Sequence, residues 1–302
     1  MFLTLKCGVL CSDVKSLGKR ALTLRNAFTV DVEDWYHGHD LNLDIKCWDS
    51  QEVRIEYGVE NILELLSGHN VRGTFFVLGC VAQKKTGLVK RIAEAGHEIG
   101  SHGYWHTMVN RQKREDFRNE LLSSKHLLED LTGKEVRLYR APSWSISPDT
   151  FWALEILEEE GFTCDSSIYP FKNPLYGVSG APIYPFHPVI NGRKLKLIEF
   201  PPTVLKIGKL RVPFAGGLYL RLFPIWFISR AMAKVNRLSP GMVYIHPWET
   251  DTGQPQLKAP LINKMAHYIN LDTTVGKLEE LLRCFNFVPL GDLINDCNLQ
   301  NF

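Results

Sequence analysis

The chain has 302 residues, 45% of them hydrophobic and 11% aromatic, with a formal charge of +2. That length suits one large α/β domain or two small ones. The near-balanced charge, with no Lys/Arg block, argues against a nucleic-acid partner. Seven scattered cysteines without a CxxC pair exclude a disulfide scaffold and favour reduced thiols in a cytoplasm-like compartment.

Residues 1–26 read as a lead, disordered or contributed by an early start codon. Its apolar patch, Met1 to Leu10, is interrupted by Lys6, is too short to span a bilayer and makes a poor signal peptide. Folding is expected over 27–302 as a single domain, since no linker or internal repeat is evident. Phe28-Thr29-Val30 is β-branched and aromatic and reads as a buried strand. It runs into Asp31, Glu33 and Asp34, three carboxylates whose repulsion and desolvation call for a cation, an arginine or a shared proton.

Val59, Ile62, Leu63 and Leu66 recur at helical spacing within 55–66, before Gly68-His69-Asn70. The apolar run 73–79 suits a parallel strand covered on both faces. A helix over 81–95, a short strand over 97–102, an amphipathic helix over 114–131 and a strand over 136–140 follow. Ser147-Pro148 opens a helix to 160, and a strand begins at 161–165. Repeated strand–helix units predict a parallel sheet with right-handed crossovers. About seven units favour a distorted (β/α) barrel, closed or nearly so.

Residues 169–217, rich in Pro and Gly, interrupt this rhythm as a long functional or partly structured insertion. The apolar stretch 218–237 reads as a buried helix or as a patch that touches lipid or a partner; its length, and Arg221 and Arg230 within it, favour the helix. Strands over 242–246 and 287–290 flank a helix over 273–285.

In parallel barrels, functional groups gather at the C-terminal ends of strands. Four predicted strands end in such groups: Asp31 to Asp34, His102, Arg140, and His246-Pro247-Trp248-Glu249. His102 and His106 are four apart, a spacing that brings two imidazoles to one face if the segment turns helically. Two imidazoles and a carboxylate would leave open positions on a divalent metal.

These residues resemble the polysaccharide deacetylases of carbohydrate esterase family 4, which carry the NodB-homology domain. The acidic strand end is similar to the family's first motif, Ser101-His102-xxx-His106 to its second, Tyr139-Arg140-Ala141-Pro142-Ser143-Trp144 to its third and Ile245-His246-Pro247 to its fifth. Asp31-Val32-Glu33-Asp34-Trp35-Tyr36, Asp165-Ser166-Ser167-Ile168-Tyr169-Pro170, Glu199-Phe200-Pro201-Pro202 and His246-Pro247-Trp248-Glu249 resemble more narrowly the branch associated with bacterial exopolysaccharide assembly.

The resemblance implies hydrolysis of N-acetyl groups on amino sugars of a bacterial surface polysaccharide or its lipid-linked precursor. It implies one divalent metal, Zn2+ first and Co2+, Ni2+ or Mn2+ otherwise, which makes a water nucleophilic. Asp31 would be the general base, His246 the general acid and Arg140 the partner of Asp31. A backbone N–H near Ser143 or Trp144 would share the oxyanion.

His102 and His106 would hold the metal with Glu33 or Asp34, a choice left open because Val32 separates Asp31 from both. Trp35, Tyr36, Trp105, Trp144 and Trp248 are candidate sugar-stacking walls. Asp165 and Glu249 are candidates for the residue that tunes the catalytic histidine. The rivals are a metal-free, allantoinase-like amidohydrolase and an inactive carbohydrate-binding assembly protein. Cytoplasmic action is expected, with peripheral contact to the inner membrane or to polysaccharide-assembly machinery as a further partner.

Overall fold

The computed structural model describes residues 24–41, 43–173 and 176–296. Most of the expected lead lies outside the described residues, and the first strand already opens at Arg25. The strands are β1 (Arg25–Val32), β2 (Thr74–Val77), β3 (Glu98–Ser101), β4 (Leu138–Tyr139), β5 (Cys164–Asp165), β6 (Val189–Ile190), β7 (Arg193–Lys194), β8 (Ile198–Glu199), β9 (Val204–Ile207), β10 (Leu210–Pro213), β11 (Met242–Ile245) and β12 (Asn286–Val288). The helices are α1 (Ile55–Gly68), α2 (Gly79–Lys84), α3 (Thr86–Glu94), α4 (Arg114–Thr132), α5 (Trp152–Glu159), α6 (Gly217–Leu222), α7 (Ile225–Val235), α8 (Leu261–Tyr268), α9 (Thr274–Cys284) and α10 (Leu290–Asp296).

Seven parallel strands in the order β11-β1-β2-β3-β4-β5-β8 form a curled half-barrel, and β12 pairs with the start of β1. Val30 sits opposite Ile245 on one side and Phe75 on the other, which brings the C-terminal ends of the central strands level. Phe28, Val30, Phe75 and Val77 are buried, as continuous apolar strands covered on both faces require. Helix α1 buries Ile55, Val59, Ile62 and Leu66. Each such side chain contributes about 1.5–3 kcal/mol when removed from water.

Several elements depart from expectation. The helix expected over 81–95 is broken at Lys85, whose non-helical backbone (φ -129°, ψ 52°) separates α2 from α3; the following Thr86-Gly87 pair has low helix propensity. Segment 169–217 is no simple insertion: its β8 forms the sheet edge beside β5, and β9 and β10 make a hairpin. The stretch 218–237 divides at Phe223-Pro224, because proline cannot continue the ladder of α6. Helix α10 was not expected; its Leu290 and Gly291 amides are held by Thr74 Oγ1 and Glu98 Oε2. Among the described residues no helix is long and apolar enough to cross a membrane.

Candidate active site

The strand ends converge on one cavity of about 260 Å³ lined by Asp31, Glu33, His102, His106 and His246. Asp31 is the penultimate residue of β1, and its Oδ1 accepts from Arg140 Nη1 at 2.6 Å. Arg140 is fully buried and also donates to Thr29 Oγ1 at 3.0 Å and to Ser166 Oγ at 3.1 Å. Its guanidinium lies over the rings of Phe76 and Trp144. A cation so enclosed keeps its carboxylate partner fixed.

Glu33 follows the end of β1, and its amide donates back to Asp31 O at 2.9 Å. At this tight turn the Glu33 and Asp34 side chains part. Glu33 faces His106 Nε2 at 2.8 Å and His246 Nε2 at 3.2 Å. Its burial alone would raise the carboxyl pKa, but the charges of His106 and His246 outweigh that and hold it well below the usual carboxylate range. Asp34 turns the other way: its two oxygens accept from the amides of Trp35, Arg54 and Ile55, capping the start of α1. Burial still raises its pKa to about 6 against those three donors.

Glu33, His102 and His106 present ligand atoms within 4.8 Å of one another, a set able to hold a metal ion. His102 Nδ1 lies 2.8 Å from Arg140 O, so that nitrogen donates and Nε2 is left for a ligand. Burial pulls the His102 pKa down to about 4, keeping the ring neutral as ligation needs. His106 Nδ1 is buried without a hydrogen-bond partner. The two histidines do not meet through a helical turn. Gly103 at φ 77° and His106 at φ 55° fold the loop back on itself instead.

His246 closes the cavity opposite His102. Its Nε2 stands 3.9 Å from Asp31 Oδ2, and its Nδ1 is 2.9 Å from Glu249 Oε2. Glu249 Oε1 accepts from Arg221 Nε at 2.8 Å, and Arg221 also donates to the carbonyls of Ala266, His267 and Ile269. Burial would lower the His246 pKa, but Glu33, Glu249 and Asp31 together raise it to about 9. Glu249, likewise buried, is held low by Arg221 and His246. Trp248 stacks on His246 at 5.0 Å and on buried His267 at 4.1 Å.

Trp144 and Trp248 line the cavity as expected, joined by Tyr176 and Tyr219. Trp35 does not: it is buried beneath the turn with its Nε1 donating to Glu52 O. Tyr36 lines a separate small pocket with Trp48 and Cys80. Trp105 is partly exposed beside an adjoining groove that shares His39 and His106 with the cavity. Asp165 sits away from His246; its Oδ1 accepts from Ser167 Oγ, which in turn accepts from Ala141 N. It therefore braces the Arg140 loop, together with Glu199, whose Oε1 takes the amides of Ser167 and Ile168. Burial raises both carboxyls.

Sequence reading missed Arg221 as a site residue, although an arginine inside an apolar run is itself a sign of a buried charge partner. It also missed His39, stacked on His106 and bonded to Ser143 Oγ at 2.7 Å.

A carboxylate–bis-histidine cluster and a flanking Asp–Arg pair thus sit at one end of the parallel half-barrel. Within it, residues 47–163 match the polysaccharide deacetylase family and residues 166–295 match a domain of unknown function, DUF3473. The first match covers 117 of the 302 residues, so the likeness to polysaccharide deacetylases is that of this segment. A peptidoglycan-N-acetylglucosamine deacetylase of Bacillus cereus is 38% identical over 95 residues, 31% of this chain and 34% of that protein. The chain therefore spans about a third of the length of that relative.

A crystal structure from Mycobacterium smegmatis, described as a polysaccharide deacetylase, shares the fold with a TM-score of 0.63 at 19% identity, covering 93% of this chain and 92% of that one. Puue allantoinase shares it with a TM-score of 0.59 at 17% identity, covering 92% and 91%. Neither matched segment holds the whole cavity. Asp31 and Glu33 precede both, His102, His106 and Arg140 lie in the first, and Arg221, His246 and Glu249 lie in the second.

Proposed function

We propose that the protein is a metal-dependent N-deacetylase acting on acetylated amino sugars of a bacterial surface polysaccharide or its lipid-linked precursor. The observation that carries this reading is the meeting of three devices on one cavity: the Asp31–Arg140 pair, the Glu33/His102/His106 cluster and the His246–Glu249–Arg221 relay. Glu33, His102 and His106 would hold the cation, Zn2+ by donor type, and the orphaned His106 Nδ1 and buried Glu33 fit that role. A divalent cation there supplies a nucleophilic water and polarises the acetyl carbonyl.

Asp31, with one oxygen held by Arg140, takes the proton of the attacking water through Oδ2. His246, kept protonated by its carboxylate neighbours, gives a proton to the departing amine. Trp144 N already donates to Ala141 O at 3.1 Å, which leaves the Ser143 amide as the oxyanion donor. Trp144, Trp248, Tyr176 and Tyr219 supply faces for a sugar ring. Cys80 and Cys164, buried and outside any disulfide, are in keeping with a cytoplasmic setting. The likeness to an allantoinase is one of fold; a metal-free site would have no use for the buried Glu33/His102/His106 set.

The test is acetate release from N-acetylhexosamine oligomers, with and without chelator, for wild type and His102→Ala. We expect release by wild type that a chelator or the substitution reduces at least 100-fold. Release surviving both treatments would sink the metal reading. No release from any acetylated glycan would favour the binding-protein rival.

A further inference from the structure

We infer that the β9–β10 hairpin and helix α7 form a surface that binds anionic phospholipid bilayers and seats the protein on a membrane beside its cavity. The first observation is a charge run. No Asp or Glu occurs between Glu199 and Glu249, whereas Lys206, Lys209, Arg211, Arg230, Lys234 and Arg237 all fall there. A net charge of +2 for the whole chain hides this asymmetry.

The second observation is where apolar side chains surface within that run. Ile207 and Leu210 pair directly across the hairpin, next to the pair Leu205 and Val212 on the same face. Leu205 is buried, but Ile207 and Leu210 are 50% and 60% exposed at the tip. Gly208 at φ 60° makes the two-residue turn, and Lys209 completes it. The apolar face of the hairpin therefore runs from the core out into solvent; on the opposite face Lys206 is exposed and pairs with Arg211, whose guanidinium turns inward to the carbonyls of Pro170 and Ala181.

Helix α7 packs against β9 and repeats the pattern. Trp226, Arg230 and Lys234, four apart, occupy its exposed side, followed by Arg237 and Leu238. Trp226 is 49% exposed, and the Arg230 guanidinium lies over its ring at 5.5 Å. Leu222, at the end of α6, is also exposed, and Gly217, Leu218, Tyr219 and Arg221 of the same helix line the cavity.

Protruding aliphatic and indole groups set among lysines and arginines fit the acyl and headgroup zones of a bilayer. A soluble polyanion would reward the charges alone and leave Ile207, Leu210 and Trp226 in water. The occupant that fits both halves of the pattern is a lipid surface carrying negative headgroups, where each basic residue strengthens binding about fivefold.

The test is sedimentation of the full chain with large unilamellar vesicles of phosphatidylcholine alone or with 30 mol% phosphatidylglycerol, a probe composition of roughly physiological surface charge. We expect at least tenfold stronger partitioning to the anionic vesicles, weakened by added salt. The double variants Ile207→Asp/Leu210→Asp and Lys206→Glu/Lys209→Glu should each lose at least tenfold. Ile262→Asp, on exposed α8, should lose none. All these side chains are exposed, so the variants should keep the wild-type melting profile, which circular dichroism checks. No preference for anionic vesicles, or binding that survives both double variants, would overturn the inference. Equal binding of the Ile207→Asp/Leu210→Asp variant, with loss only for the lysine pair, would assign the surface to a soluble polyanion instead. No arm depends on hydrolysis, so a failure here leaves the deacetylase reading untouched.

Discussion

The protonation of His246 is set by carboxylates, and the variant that exposes this is Glu249→Gln. In the folded chain, burial opposes the imidazolium, and Glu33, Glu249 and Asp31 overcome it, raising the pKa to about 9. A general acid works only while protonated, so the rate should fall as pH rises through the His246 pKa, which a cation held by Glu33 would set below about 9. The stability supplied by the charged ring follows the same sign. It is fully present below the unfolded-state value near 6.5 and is lost as pH rises through about 9. Glutamine removes one of the three charges and turns its amide toward either His246 or Arg221. The alkaline limb of kcat should then move down by about one unit or more, each unit being about 1.4 kcal/mol. A limb left in place by Glu249→Gln would show that the relay does not hold the acid's proton.

At the scale of elements, Glu33 and Asp34, adjacent in the chain, meet different partners. Asp34 ties the end of β1 to the start of α1 through three amide donors, and its side chain takes no place among the histidines. Asp34→Ala should cost about 2–4 kcal/mol of stability, by loss of a cap and of buried hydrogen bonds, while sparing kcat in the protein that stays folded. Glu33→Gln should do the reverse, with kcat down at least 100-fold and the melting temperature nearly kept. Helix α1 meets the site a second time at Gly58, where an added Cβ would lie 2.3 Å from Pro247 O. Gly58→Ala must push α1 away from the turn that carries His246. It should destabilise by about 1–3 kcal/mol and lower kcat, and wild-type values for both would mean the turn is free to shift. Element placement was legible where function and periodicity agreed: β1 and β11 were readable because each apolar run stops at a polar strand end. The breaks at Lys85 and Pro224, the two-residue β8 and the terminal α10 were not. Short elements fixed by tertiary contacts leave little local pattern, and β8 is held by pairing with β5 on one side and with Phe186 on the other.

For the molecule as a whole, the site joins residues some 200 positions apart, Asp31 and Glu33 at the start of the sheet and His246 near its end. The histidine pair, the strand-end acids and Arg140 were visible because unpartnered ionisable residues are costly at strand ends. Arg221 and His39 were not, since their importance lies in contacts that only the closed sheet creates. Chain folding therefore brings the cluster together, and a ligand of that cluster should stabilise the whole fold. Glu33 and His106 are each no more than 4% exposed, so the unfolded chain cannot reproduce their arrangement. At a hundredfold excess over the dissociation constant, binding adds about 2.7 kcal/mol. For a domain of this size that raises the melting temperature by roughly 5 °C. We expect that rise when Zn2+ is added to chelator-treated wild type, and no rise for His102→Ala or Glu33→Gln. Asp34→Ala should keep the full increment on its lower baseline, because its carboxylate holds the α1 terminus and not the cation. An increment lost with Asp34 and kept without Glu33 would move the ligand position one residue along the chain and undo the division of labour drawn from the turn.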